Sequence, residues 1–148
     1  MKKLALLLLA FCVFFGAEAQ DKKVAIASAT ASASQPGEEA KYAIDGNYNT
    51  MWHSPYSGTN FSTLTFTVKL KEVSKVDYVK YVPRCDNSDN GNWIKVEVLY
   101  SDKTSGSTFT SIGTYQPNGV STPTEFDLGG VECGQIRIKT KGGYINVA

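Results

Sequence analysis

Polar and apolar residues alternate with a period of two through most of this chain from residue 64 onward. In 64–70, Leu64, Phe66, Val68 and Leu70 share one face. In 76–82, Val76, Tyr78, Lys80 and Val82 share one face, with Asp77, Val79 and Tyr81 on the other, as in an internal strand of partial polarity. In 93–101, Ile94, Val96, Val98 and Tyr100 fall on one side, and further strands are predicted at 109–115, 124–128 and 134–140. Gly, Asn, Asp, Ser or Pro lies between nearly every pair, which is the punctuation of tight turns. Short strands at this density predict an all-β antiparallel sandwich or barrel. No helical period is long enough for an α/β unit, there is no internal repeat, and 101–108 reads as a loop. Residues 24–36 are small and polar without an apolar stripe, so they predict an extended entry and a loop. Residues 40–44 predict a short helical turn before Asp45-Gly46.

The first residues follow a different pattern. Lys2 and Lys3 precede an apolar run from Leu4 to Phe15, and Ala17 and Ala19 supply the small residues that a signal peptidase reads. The run is shorter than the roughly 20 residues a membrane-spanning helix needs. Residues 1–19 are therefore expected to be a secretory signal peptide, leaving 20–148 as one exported domain, periplasmic, cell-surface or extracellular. Lipidation at Cys12 is disfavoured because Phe11 stands where a small residue is needed.

Removing Lys2, Lys3 and Glu18 from the 15 Lys and Arg and 14 Asp and Glu of the chain leaves a balanced charge. The lysines form no basic stripe, which argues against a nucleic-acid partner. Export makes a disulfide between Cys85 and Cys133 chemically possible, but two cysteines do not make a disulfide scaffold.

Residues 43–56, AIDGNYNTMWHSPY, concentrate the candidate chemistry. Asp45, Asn47, Asn49 and Thr50 place hard oxygen donors around a turn that Gly46 allows to close. Two readings stand at this point: an ordinary turn held by side-chain hydrogen bonds, or a calcium site completed by backbone carbonyls. Zinc fits less well, because one histidine and two distant cysteines lack ligand spacing. His53, the only histidine, lies three residues before Tyr56, with Pro55 between them. Such a loop can present an imidazole edge with an aromatic face, the mixture a sugar needs, or His53 can simply bond locally beside Trp52. Arg84 follows Pro83 at the end of a strand and opens a polar loop, where its guanidinium can fork onto hydroxyls or a carboxylate. Arg137 lies mid-strand and reads as a solvent-face residue. Tyr144 follows Gly142-Gly143, a turn able to project its ring or to start an inward-packed strand. Glu38, Glu39, Asp86 and Asp89 occur in loops, yet nothing marks a pair as the acid and base of a glycosidase, and no serine nucleophile turn is present. The expectation is a protein that is not an enzyme.

Four segments then carry a resemblance. DG-x-x-x-T-x-WHS (45–54), V-x-YV-x-Y-x-PR (76–84), NGNW-x-x-VEV (90–98) and C-GQIRIKTKGGYINVA (133–148) together resemble the discoidin domain of the coagulation factor V/VIII C-terminal type. The branch they are most similar to is carbohydrate-binding module family 32. The resemblance covers nearly all of 24–148. It implies a jelly-roll sandwich of the galactose-binding-domain type, sugar-binding loops at one end and one structural calcium ion. The calcium turn would fall on Asp45, Asn47 and Thr50. The sugar-binding positions would fall on His53, Arg84, Tyr144 and Tyr56, with an acidic residue at Glu38 or Glu39 and a loop asparagine at Asn87 or Asn90. The implied ligand is a galactose or N-acetylgalactosamine type glycan, and the resemblance allows for a glycoside hydrolase domain appended in a parent protein. The rival class is a protein-binding adhesion module using the same loops. Membrane insertion is not expected, since the corresponding loops are mostly polar, with Phe61 and Trp93 the two residues that argue otherwise.

Two further expectations rest on that resemblance. The family pattern continues past the VA of Val147-Ala148 with a Glu-led strand, so the domain is expected to lack its last strand and one calcium ligand. If Arg84 and Tyr144 share the binding end, Cys133 begins a seven-residue strand at the other end, about 23 Å away. Disulfide Cα atoms must lie within about 7 Å, so no Cys85–Cys133 disulfide is expected.

Overall fold

A computed structural model describes residues 21–84, 88, 90–118 and 122–143. Five strands form: β1 (Ile26–Ala31), β2 (Thr65–Tyr81), β3 (Trp93–Ser101), β4 (Thr110–Tyr115) and β5 (Thr124–Gly143). They are hydrogen-bonded in the order β1-β2-β5-β3-β4, and every neighbouring pair is antiparallel. A single 3-10 turn, Ala40–Ala43, occupies the place of the expected helical turn. The signal-peptide expectation, residues 1–19, lies outside the described residues.

The long strands make the sandwich. Segments 64–70 and 76–82 read as separate strands, as do 124–128 and 134–140, yet β2 and β5 each run through the interruption. Their shared ladder shifts register between Lys69 and Ser74 and again between Val76 and Tyr78, and Gly129 and Gly130 take φ +67° and +72°. These breaks fold the sheet over on itself. Phe126, from the first half of β5, meets Tyr115 at 5.3 Å and Tyr81 at 6.2 Å, and it shares one core with Ile136 and Ile138 from the second half. The result is an antiparallel β-sandwich of jelly-roll type.

The breaks also correct two face assignments. After Val76 the register shift turns Val79 and Tyr81 toward the core. In β3 a bulge between Trp93 and Val96 buries Trp93 and leaves Ile94 42% exposed. Val96, Val98 and Phe126 are wholly buried. Burying each such side chain contributes about 1.5–3 kcal/mol, so these three positions anchor the sandwich.

One end of the sheet collects the loops. Trp93, the first residue of β3, pairs with Gly143, the last of β5, and stacks at 4.6 Å on Tyr81, the last of β2. The segment between β1 and β2 is tied to that end as well. Thr140 bonds the carbonyls of Phe61 and Leu64, through its hydroxyl and its backbone N–H respectively. Phe61 packs where a Gly143 side chain would stand, and Trp93 is buried, so neither presents a free apolar spike. No helix among the described residues is long and apolar enough to cross a membrane. Cys133 pairs opposite Ser74, ten residues before Gly143, or about 30 Å along the strand. Its thiol has no disulfide partner among the described residues and is fully buried. Cys85 lies outside the described residues.

Candidate functional site

The backbone around His53 is fixed first. Its N–H donates to the Glu38 carbonyl at 3.2 Å, and its carbonyl accepts from the Gln35 N–H at 2.8 Å. This pairing clips the 35–38 turn to the 53–56 loop. The Tyr56 N–H donates to Gln35 Oε1 at 3.1 Å, and the Tyr56 hydroxyl donates to Glu38 Oε1 at 2.9 Å. His53 and Tyr56 then meet edge to face at 5.0 Å. The histidine is 8% exposed and the tyrosine 66%, so the pair offers a sunken polar edge beside an open aromatic face.

The chemistry of the imidazole follows from its neighbours. Nδ1 faces the carbonyl oxygen of Ser54, which can only accept, so Nδ1 carries the proton. In the neutral ring Nε2 is therefore an acceptor. Nε2 is buried and has no hydrogen-bond partner among the described residues. The α-carbon of Gly91 stands against it: a methyl group there would come within 2.9 Å of Nε2. Gly91 has φ +81°, a conformation in which only glycine is unstrained.

Arg84 approaches from the opposite loop. Its backbone N–H donates to Asn92 Oδ1 at 3.2 Å, and its Nη1 donates to the Asn90 carbonyl at 3.4 Å. Its charge reaches the Tyr56 phenol, whose pKa is raised first by the hydrogen bond to Glu38, then by burial and the Glu38 charge, with Arg84 opposing. His53, Tyr56, Phe61, Asn90 and Gly91 line a cavity of about 190 Å³. Glu38, Arg84 and Asn90 thus join His53 and Tyr56 in one cluster. Glu39 turns away and accepts from the Gly37 N–H at 3.1 Å. Asn87 and Tyr144 lie outside the described residues, as do Asp86 and Asp89.

Three residues of this cluster had no role in the sequence reading. Gln35 clips Tyr56, Gly91 covers the imidazole, and buried Asn92 holds the Arg84 backbone. The NGNW segment at 90–93 was the available signal, but only Asn90 drew a role from it.

The Asp45 turn closes on itself. Asp45 Oδ1 accepts from the Asn47 N–H at 2.8 Å, and Oδ2 accepts from the Thr50 hydroxyl at 2.7 Å. Asn47 Oδ1 accepts from the Asn49 N–H at 3.0 Å. The Thr50 and Asn47 hydrogen bonds hold the Asp45 carboxyl below its ordinary pKa. The donor set is all oxygen, which suits a hard cation, but it brings one carboxylate. Among the described residues no group of three His, Cys, Asp or Glu side chains could hold a metal ion.

With this geometry in hand, known proteins can be compared. The family model for the F5/8 type C domain matches residues 28–147. Galactose oxidase of Gibberella zeae is 33% identical in a 108-residue alignment that covers 66% of this chain and 16% of the oxidase. The chain therefore matches only about a sixth of that relative's length. The Clostridium perfringens module CBM32-5 of CpGH89, solved with GalNAc-β-1,3-galactose, superposes with a TM-score of 0.72 at 25% identity, covering 78% of this chain and 84% of the module. A C. perfringens ZmpB chain comprising CBM32-1, CBM32-2 and M60 catalytic domains matches with a TM-score of 0.72 at 20% identity, over 80% of this chain and 13% of that one.

Proposed function

Because the chain belongs to the F5/8 type C (discoidin) family, we propose that it is a non-catalytic sugar-binding module whose His53 cavity holds a galactose or N-acetylgalactosamine type glycan. The observation that carries this reading is the unpartnered Nε2 of buried His53, fixed as an acceptor in a cavity that an exposed Tyr56 ring overlooks. A sugar hydroxyl can donate to Nε2 once the 90–91 turn yields, Arg84 can donate to neighbouring hydroxyls, and the Tyr56 ring can cover the apolar face. The GalNAc-β-1,3-galactose complex of the similar C. perfringens module supports the choice of sugar. An open cavity with few contacts fits weak binding, with Kd about 0.1–1 mM.

Three accompanying features belong to the same proposal. The Lys2 to Ala19 pattern supports export. The C. perfringens chain that combines such modules with a catalytic domain supports a role beside an appended enzyme domain. Calcium would be held by oxygens of Asp45, Asn47 and Thr50, where it would supply structural cross-linking only. A single carboxylate there fits an affinity of about 0.1–1 mM, the range of weak extracellular sites.

Glycan arrays followed by titration of galactose into wild type, His53→Ala and Arg84→Ala test the reading. The expected result is millimolar-range binding in wild type and a loss of at least about tenfold in both variants. Unchanged binding in both removes the site assignment. A folded protein that binds no sugar favours a protein-binding adhesion module.

A further inference from the structure

We propose that the surface from Glu38 to Tyr48 is a second sugar subsite, so that the module reads a sugar together with its neighbour. This rests on the sugar-binding reading of the His53 cavity and extends it. A second cavity of about 200 Å³, as large as the first, is lined by Gly37, Glu38, Tyr42, Asn49, Thr50 and Met51. The Glu38–Tyr56 hydrogen bond links the two cavities, with Tyr56 lining the first and Glu38 the second. One carboxylate oxygen holds the Tyr56 phenol of the first cavity, and the same residue forms a wall of the second. The other oxygen, Oε2, is buried without a hydrogen-bond partner among the described residues. A buried carboxylate oxygen left unpaired is costly, and a ligand hydroxyl is a suitable donor for it.

Side chains in its wall, or next to wall residues in the chain, have the character a pyranose needs. Tyr48 is 86% exposed, the most open of the large apolar side chains among the described residues. Its place is set by a turn pinned at Asp45, Asn47 and Thr50, so a ligand does not have to order the backbone beneath it. The Asn49 side-chain amide makes no hydrogen bond within the protein among the described residues and can serve both as donor and acceptor. The Lys41 ammonium lies 4.8 Å from the centre of the Tyr42 ring, adding a cation at the margin. Glu38 and Asn49 in the wall of one cavity, with the exposed Tyr48 ring next to Asn49 in the chain, make a site for a second pyranose linked to the one in the His53 cavity. A lone sugar would leave all three unused.

Calorimetric titration of a panel of galactose-terminated disaccharides of different linkage, and of galactose alone, tests this in wild type, Tyr48→Ala and Asn49→Ala. At least one disaccharide should bind wild type about five- to tenfold more tightly than galactose, the value of one or two added contacts. Both variants should lose that gain while keeping the galactose affinity of wild type. Since Tyr48 and Asn49 are exposed, their melting temperatures should match wild type. Galactose binding with no disaccharide preferred, or a preference that survives both substitutions, overturns the second subsite and leaves the first standing. No sugar binding at all overturns both.

Discussion

Replacing Gly91 by alanine puts the arrangement of the candidate site under a direct test. Two costs are expected. Alanine at φ +81° carries a left-handed backbone strain of about 1–2 kcal/mol. Its Cβ would also stand 2.9 Å from His53 Nε2 and 3.2 Å from Cε1, closer than atoms pack. The ring cannot swing aside freely, because Nδ1 is bonded to the Ser54 carbonyl and the His53 backbone is paired on both sides. Overpacking of this kind costs about 1–3 kcal/mol more. Gly129→Ala is the control: it has φ +67° and nothing within 4 Å of the added methyl, so it incurs the backbone cost alone. Thermal unfolding should place Gly91→Ala below Gly129→Ala by about 3 °C or more, given about 3–5 °C per kcal/mol in a domain of this size. Galactose titration should show weakened binding in Gly91→Ala and wild-type binding in Gly129→Ala. If the two variants melt together and bind alike, Gly91 does not set the position of the imidazole.

The remaining predictions concern calcium and the buried thiol. Calcium at about 3 mM should raise the melting temperature of wild type by about 2–10 °C over a chelator-treated sample, as RT ln(1 + [L]/Kd) gives for a weak site, and Asp45→Asn should abolish the difference; an unchanged melting temperature in wild type would remove the calcium assignment. The hydrogen bonds from Thr50 and Asn47 lower the folded pKa of Asp45, so their contribution is present above the ordinary carboxylate pKa and is lost as pH falls through the folded one. Burial raises the folded pKa of Cys133, so its contribution is full below the ordinary thiol value of about 8.5 and is lost as pH rises through the folded value. Cys133→Ala should flatten that alkaline decline, and the wild-type thiol should resist alkylation until the protein unfolds. Rapid labelling of Cys133 in the native state would contradict its burial.

Much of the sandwich was legible from alternation, because inward residues on a half-buried strand leave a mark at every second position. Residues 93–101 were read with the bounds that β3 has. What alternation cannot carry is a change of phase. Lys71 to Lys75 read as a break because four of the five are polar or charged. In the fold they continue β2 through a register jump that only the partner strand defines. Ile94 was grouped on one side with Val96 and Val98 for the same reason, since the bulge beside it is a property of two strands. At the site, His53, Tyr56 and Arg84 stood out because their chemistry is scarce in this chain. Gly91 and Asn92 did not, since Asn and Gly in a loop look like turn composition. Gly91 takes its role from the approach of His53, 38 residues earlier in the chain, and Asn92 takes its role from the Arg84 backbone across the loop.

The continuous pairing of β2 with β5 has a consequence for how the molecule opens. In a sandwich of two separate sheets, one sheet can detach while the other keeps its bonds. Here a single ladder passes through both layers, so the amides on either side of Gly129-Gly130 belong to one cooperative unit. They should exchange hydrogen with solvent at a common slow rate, governed by global unfolding. The 35–38 and 53–59 segments and the 90–92 turn hang outside that unit and can open and reclose many times before the ladder gives way, which would let the Gly91 turn yield to a ligand without loosening the frame that holds it.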